Sequence, residues 1–108
     1  MNESDWKLFR TLQPTLLNRL CEQILQECAQ VIGDETKSPH ERYLDLFGLI
    51  NDRDQDVGRC FDAPSRSNLT LKLLAIHRLG LLEPAERAWF SADAQEFFER
   101  WDRYDDEG

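Results

Sequence analysis

Trp6, Phe9, Leu12, Leu16, Leu20, Ile24, Cys28 and Val31 recur at steps of three and four residues. At 3.6 residues per turn this spacing gathers all eight on one face of a helix, whereas a strand would send alternate residues to opposite sides. The pattern predicts a helical region from about Ser4 to Ile32, stopped by Gly33. A helix with one apolar stripe must bury it against other elements, so the chain is committed early to a packed helical fold. Pro14 lies within the pattern. Its missing amide hydrogen and its ring predict a kink or short break near Thr11 to Gln13.

Downstream, Ser38-Pro39-His40-Glu41 combines a capping serine, a proline suited to the first helical position and a glutamate placed to reach back to the serine amide. A second helix is expected from Pro39. Tyr43, Phe47, Ile50, Val57 and Phe61 continue the spacing, with Leu46 and Cys60 alongside, so this helix should run straight through Asn51 to Cys60. Asp62-Ala63-Pro64-Ser65 reads as a turn, after which Ser67 or Asn68 can cap a third helix ending at Gly80. Leu69, Leu71, Leu73, Leu74, Ile76 and Leu79 fall on both sides of that helix. Residues 67–79 are therefore expected to form the central helix, with Leu73 and Ile76 in the core. Pro84 opens a short fourth helix, and Ser91 caps a fifth whose face is Ala94, Phe97, Phe98, Trp101 and Tyr104. The expected fold is all-α, a compact bundle of four to five helices in a single domain over residues 1–108, with 105–108 frayed at the end.

Composition supports a folded chain: 41% of the 108 residues are hydrophobic and 31% charged, enough for one core without metal or disulfide. Lys72, His77 and Arg78 interrupt the richest apolar stretch, so nothing approaches the roughly 20 apolar residues that span a bilayer. The opening M-N-E-S-D-W-K-L carries acids where a signal peptide carries bases, which predicts a cytoplasmic protein. Cys21, Cys28 and Cys60 form an odd set without a C-x-x-C pair, the usage of reduced thiols. The net charge of -8 is unevenly spread: residues 34–62 carry -4, 63–80 carry +3 and 81–108 carry -6. Such a field disfavours nucleic acid, anionic membranes and acidic substrates, and either favours a basic partner or simply keeps the protein soluble, the second being the plainer reading.

Few residues offer nameable chemistry. Asp52, Asp54 and Asp56 alternate like the start of a calcium loop, but counting from Asp52 puts Val57 where a glycine is needed and Ala63 where a bidentate glutamate is needed. A solvated acidic helix face fits better. Asp54 falls between Ile50 and Val57 on the apolar stripe, so an internal polar contact is expected, with Arg66 as its partner and Ser67 and Asn68 as further candidates. The three cysteines and His77 lack the close ligand pairs of zinc sites. No catalytic motif or phosphate-cradling glycine loop is present. The expectation is a protein without catalytic residues, metal or cofactor.

Residues 74–90 resemble a helix-turn-helix in outline, yet the surplus of acid in 81–108 opposes contact with phosphates. The remaining functional hint is the aromatic run Trp89, Phe97, Phe98 and Trp101 with acids at Glu96, Glu99 and Asp102, a composition suited to a partner-binding surface. The competing expectation is that this face fastens the last helix onto the core. The sequence thus reads as a small acidic, non-catalytic interaction or regulatory protein: an adaptor, an anti-factor or an inhibitor of a basic partner, with a homodimer as the alternative assembly. A helix-turn-helix nucleic-acid regulator ranks second, and a small metal protein or enzyme is more distant.

Overall fold

The computed structural model describes residues 1–107, arranged as five helices: α1 Glu3–Ile32, α2 Pro39–Phe61, α3 Leu69–Arg78, α4 Pro84–Ala88 and α5 Ala92–Glu107. Among the described residues there is no strand, and no helix is long and apolar enough to cross a membrane. Of residues 105–108, where fraying is expected, α5 includes those as far as Glu107, and Gly108 lies outside the described residues.

The helix ends follow the capping chemistry written in the sequence. Asn2 accepts the Asp5 amide at 3.0 Å to start α1. At α2 the Ser38 hydroxyl accepts the Glu41 amide while the Glu41 carboxylate accepts the Ser38 amide, both at 3.2 Å, so two otherwise unpaired donors are satisfied together. The Ser91 hydroxyl accepts the Ala94 amide at 3.2 Å to start α5. Asn68 differs from expectation: its side chain makes no cap bond to α3 but ties the preceding turn, accepting from the Ser65 amide and donating to the Ala63 carbonyl. At the far end of α3, Gly80 takes φ +66°, where a Cβ would be strained. The Gly80 and Leu81 amides donate back to the His77 and Ile76 carbonyls, and this reversal sends Leu81 into the core.

Pro14 does not break α1, which is helical throughout. The carbonyl it leaves without an amide belongs to Arg10, and both residues are exposed, so water can satisfy that carbonyl and the helix continues.

The main core collects Phe9, Leu12, Leu16 and Leu20 from α1, Cys60 and Phe61 from the end of α2, Leu69, Leu73 and Ile76 from α3, then Leu81, Phe90, Ala94 and Phe98. Leu73 and Ile76 are fully buried as expected, while Leu71 on the opposite side of α3 is 69% exposed. Polar ties hold the outer helices to α1. The Asp5 carboxylate accepts from the Ser91 amide and hydroxyl at 2.8 and 2.6 Å. Arg19 pairs with the buried Glu86 at 2.7 Å and donates to the Leu81 carbonyl.

α1 and α2 run antiparallel, since contacts join Glu3 to Arg66, Glu27 to Arg53 and the Ile32 carbonyl to Arg42. No residue between Ile24 and Val57 belongs to the main core or packs on it. The far half of this hairpin therefore projects as a two-helix arm from an elongated molecule of 51 × 31 × 22 Å.

The expected contact between Asp54 and Arg66 is absent. Asp54 is exposed, and Arg66 instead makes two 2.8 Å bonds to Glu3 with its guanidinium 5.4 Å over the Trp6 ring. Two geometric facts account for this. The row that α2 turns toward α1 is Leu46, Leu49, Arg53, Val57 and Cys60, which leaves Asp54 on the outer side. Asp54 also sits two turns, roughly 10 Å, short of the helix end from which Arg66 is carried to the start of α1.

Candidate functional site

The arm has its own thin interior. Cys28 is buried and Val31, Leu46 and Leu49 are half-buried between its helices. Arg53, largely buried, lies 2.9 Å from Glu27 across the pair and 2.8 Å from Asp56 on its own helix. α1 has no basic residue in its last turn, and Arg42 of α2 supplies the missing cation by donating to the Ile32 carbonyl at 2.6 Å. Lys37 in the connection pairs with Asp45 at 2.7 Å.

Two helices can cover only one side of each other, and the consequence is visible on the outside. Leu25 and Ile32 on α1 and Tyr43, Leu44, Phe47 and Ile50 on α2 are each between 48% and 65% exposed. Leu25 and Ile32 are seven residues apart, and Tyr43, Phe47 and Ile50 follow at four and three, so each helix presents an apolar row outward. The rows meet near the tip of the arm, where Ile32, Pro39, Arg42, Tyr43 and Leu46 line a hollow of about 330 Å³. Scattered apolar residues on a surface are ordinary, but six large ones on a single projection make the arm the candidate site.

The arm as a whole is acidic. Residues 22–56 contain nine acidic and three basic residues. All three bases are engaged internally, Lys37 and Arg53 by carboxylates and Arg42 by a carbonyl. Glu22, Glu35, Asp52 and Asp54 are exposed and have no cationic partner among the described residues. The aspartates of Asn51 to Cys60 lie on continuous helix, with Asp56 held between Arg53 and Arg59.

The aromatic residues singled out in the sequence do not gather on one surface. Phe98 is fully buried, its ring edge-on to Phe90 and Trp101 at 5.5 and 5.7 Å, so it belongs to the core and is unavailable to a partner. Neighbours on a helix diverge by about 100°, which separates Phe98 from Phe97. Phe97 and Trp101 are half-buried, 5.7 Å apart, with Trp101 also 5.5 Å from the His77 ring. Asp102 is held by Arg87 at 2.7 Å and by His77 Nε2 at 3.1 Å. Glu96 and Glu99 are exposed, and Trp89 stands 61% exposed at the end of α4.

The remaining groups offer little chemistry. Burial pushes the Cys60 thiol up to about 11, so it stays protonated and unreactive near neutrality. Burial also lowers the pKa of His77, against the opposing pull of Asp102. Among the described residues no three His, Cys, Asp or Glu side chains converge in a way that could hold a metal ion.

The outward face of α2 was visible in the sequence only as a surplus. Tyr43, Phe47 and Ile50 form one apolar row while Leu46, Leu49, Val57 and Cys60 form another, more than one partner helix can cover. No family model matches the chain, and no curated protein or solved structure matches it.

Proposed function

We propose that this chain is a non-catalytic protein-protein interaction or regulatory protein that docks a basic partner through its two-helix arm. The observation that carries this reading is the coincidence, outside the core, of an exposed apolar face with an acidic arm whose exposed carboxylates Glu22, Glu35, Asp52 and Asp54 have no cationic partner among the described residues. Apolar side chains supply the desolvated anchor of an interface, and surrounding charge speeds encounter and selects the partner's sign. An adaptor, an anti-factor and an inhibitor all use such a surface.

The test is affinity capture from the source cell, run in parallel with the wild-type chain and a Phe47→Ala/Ile50→Ala variant, followed by mass spectrometry. The variant should melt close to the wild type, because both side chains are exposed. Support consists of a basic protein retained by the wild type, lost with the variant and released by moderate salt. Retention that ignores the two substitutions, or a retained set that is acidic, refutes the reading.

A further inference from the structure

We infer that the occupant of the arm's face is a basic amphipathic helix of a partner protein, lying along α1 and α2 as a third helix; this rests on the docking role proposed above. The choice among occupants comes from three features of the arm. First, both of its walls are helices whose backbone groups are already paired, so no free edge exists to bond an extended peptide. A helix satisfies its own backbone and needs only side-chain contact.

Second, the dimensions suit a helix. Tyr43 to Asp54 covers eleven helical steps, roughly 16 Å along the axis, which about three turns of a partner would match. The hollow shared by Ile32, Tyr43 and Leu46 can seat one large apolar side chain at the tip. Phe47 and Ile50 then meet apolar side chains spaced at three and four along the partner.

Third, charge decides between a second copy of this chain and a different protein. At the core end of the row stands Asp54, exposed and without a cationic partner among the described residues, on an arm whose residues 22–56 hold nine acids against three bases. A second copy would bring its own unpaired Asp54, on an equally acidic arm, to the same place, since its arm cations are internally engaged in the same way. Lysines or arginines flanking an apolar stripe complement both parts of the surface.

The probe is a fluorescein-labelled peptide of about 16 residues built from Leu, Lys and Ala, with leucines on one helical face. A second peptide of identical composition has the leucines dispersed. Anisotropy titrations on the full chain should show the amphipathic peptide binding at least about tenfold more tightly than its rearranged counterpart. Phe47→Ala should weaken that binding about fivefold or more, with melting unchanged. Asp54→Asn should flatten its salt dependence. Equal binding of the two peptides would reduce the interaction to bulk charge and overturn the helical occupant. So would sedimentation showing a wild-type dimer at assay concentration that Phe47→Ala converts to monomer, because a second copy then covers the face. If a cellular basic protein is captured through the arm while the peptides are not discriminated, the docking role stands and the helical occupant fails. If the arm substitutions affect neither capture nor peptide binding, both fail.

Discussion

Asp5 is 1% exposed, yet it bears a carboxylate within the first turn of α1. Two donors from Ser91 make that burial tolerable, and the same hydroxyl caps α5 through the Ala94 amide, so a single acid fixes where the last helix starts. Replacing Asp5 with alanine leaves the Ser91 donors without their acceptor in a site where water is scarce. The expected cost is about 2–3 kcal/mol, read from urea denaturation midpoints. His77 makes a second prediction at this scale. Its side chain is buried against Phe98 and Trp101; Asp102 and Asp105 favour its charged form, while burial, Arg87 and Arg78 oppose it, and the balance lies below its ordinary value of 6.5. The unfolded chain therefore takes up the proton first. This group contributes stability that is present above about pH 6.5 and lost as pH falls through the lower folded value. Denaturation midpoints at pH 7.5 and 5.5 should differ in that direction, and His77→Gln should reduce the difference. A further loss under more acid conditions is expected from Glu86 and Asp102, whose carboxyls Arg19 and Arg87 hold below the usual range.

At the scale of elements, α1 tolerates an internal proline because the helix is long and is held by contacts at many points. Phe9, Leu12, Leu16 and Leu20 bury one face on either side of Pro14, and Arg19 anchors the next turn to Glu86. Proline within a helix interior is nevertheless unfavourable, both for the missing hydrogen bond and for the crowding of the preceding turn. Pro14→Ala should raise stability, by about 1–3 kcal/mol, measured as an upward shift in the thermal midpoint. An unchanged or lowered midpoint would mean that the proline is accommodated in a way alanine cannot improve. α2 divides its labour along its length: Val57, Cys60 and Phe61 belong with the main core, while Tyr43 to Ile50 serves the arm. Its apolar spacing is continuous across both parts, so the division is invisible in the pattern itself.

For the whole molecule, the division yields a direct contrast. Leu73 is fully buried at the centre of the core, and Leu73→Ala should cost about 2–5 kcal/mol through lost burial and a cavity. Phe47 is larger but 61% exposed, and Phe47→Ala should move the denaturation midpoint by only about 0.5 kcal/mol. A large loss at Phe47 would place the arm within the cooperative core and remove the basis for reading its face as unpartnered. The contrast separates stability from interaction: core substitutions should lower both together, arm substitutions only the second.

The sequence by itself determined the helices. Their approximate positions, the capping box at Ser38, the stop at Gly80 and the burial of Leu73 and Ile76 all depend on residues within about four positions of one another, and that is the range over which helical hydrogen bonds and side-chain spacing operate. Only the tertiary structure decided which apolar rows would be covered. Tyr43, Phe47 and Ile50 carry the same spacing as Phe9, Leu12 and Leu16, yet the first row lies exposed and the second buried, because α3, α4 and α5 assemble at one end of the α1–α2 pair and supply no third layer at the other. The same long-range geometry gave Arg66 to Glu3 instead of Asp54, put Asp5 under Ser91, and drew Phe98 inside while leaving Trp89 out. Spacing states that a helix has an apolar face; the number of neighbours available to bury it is a property of the assembled chain.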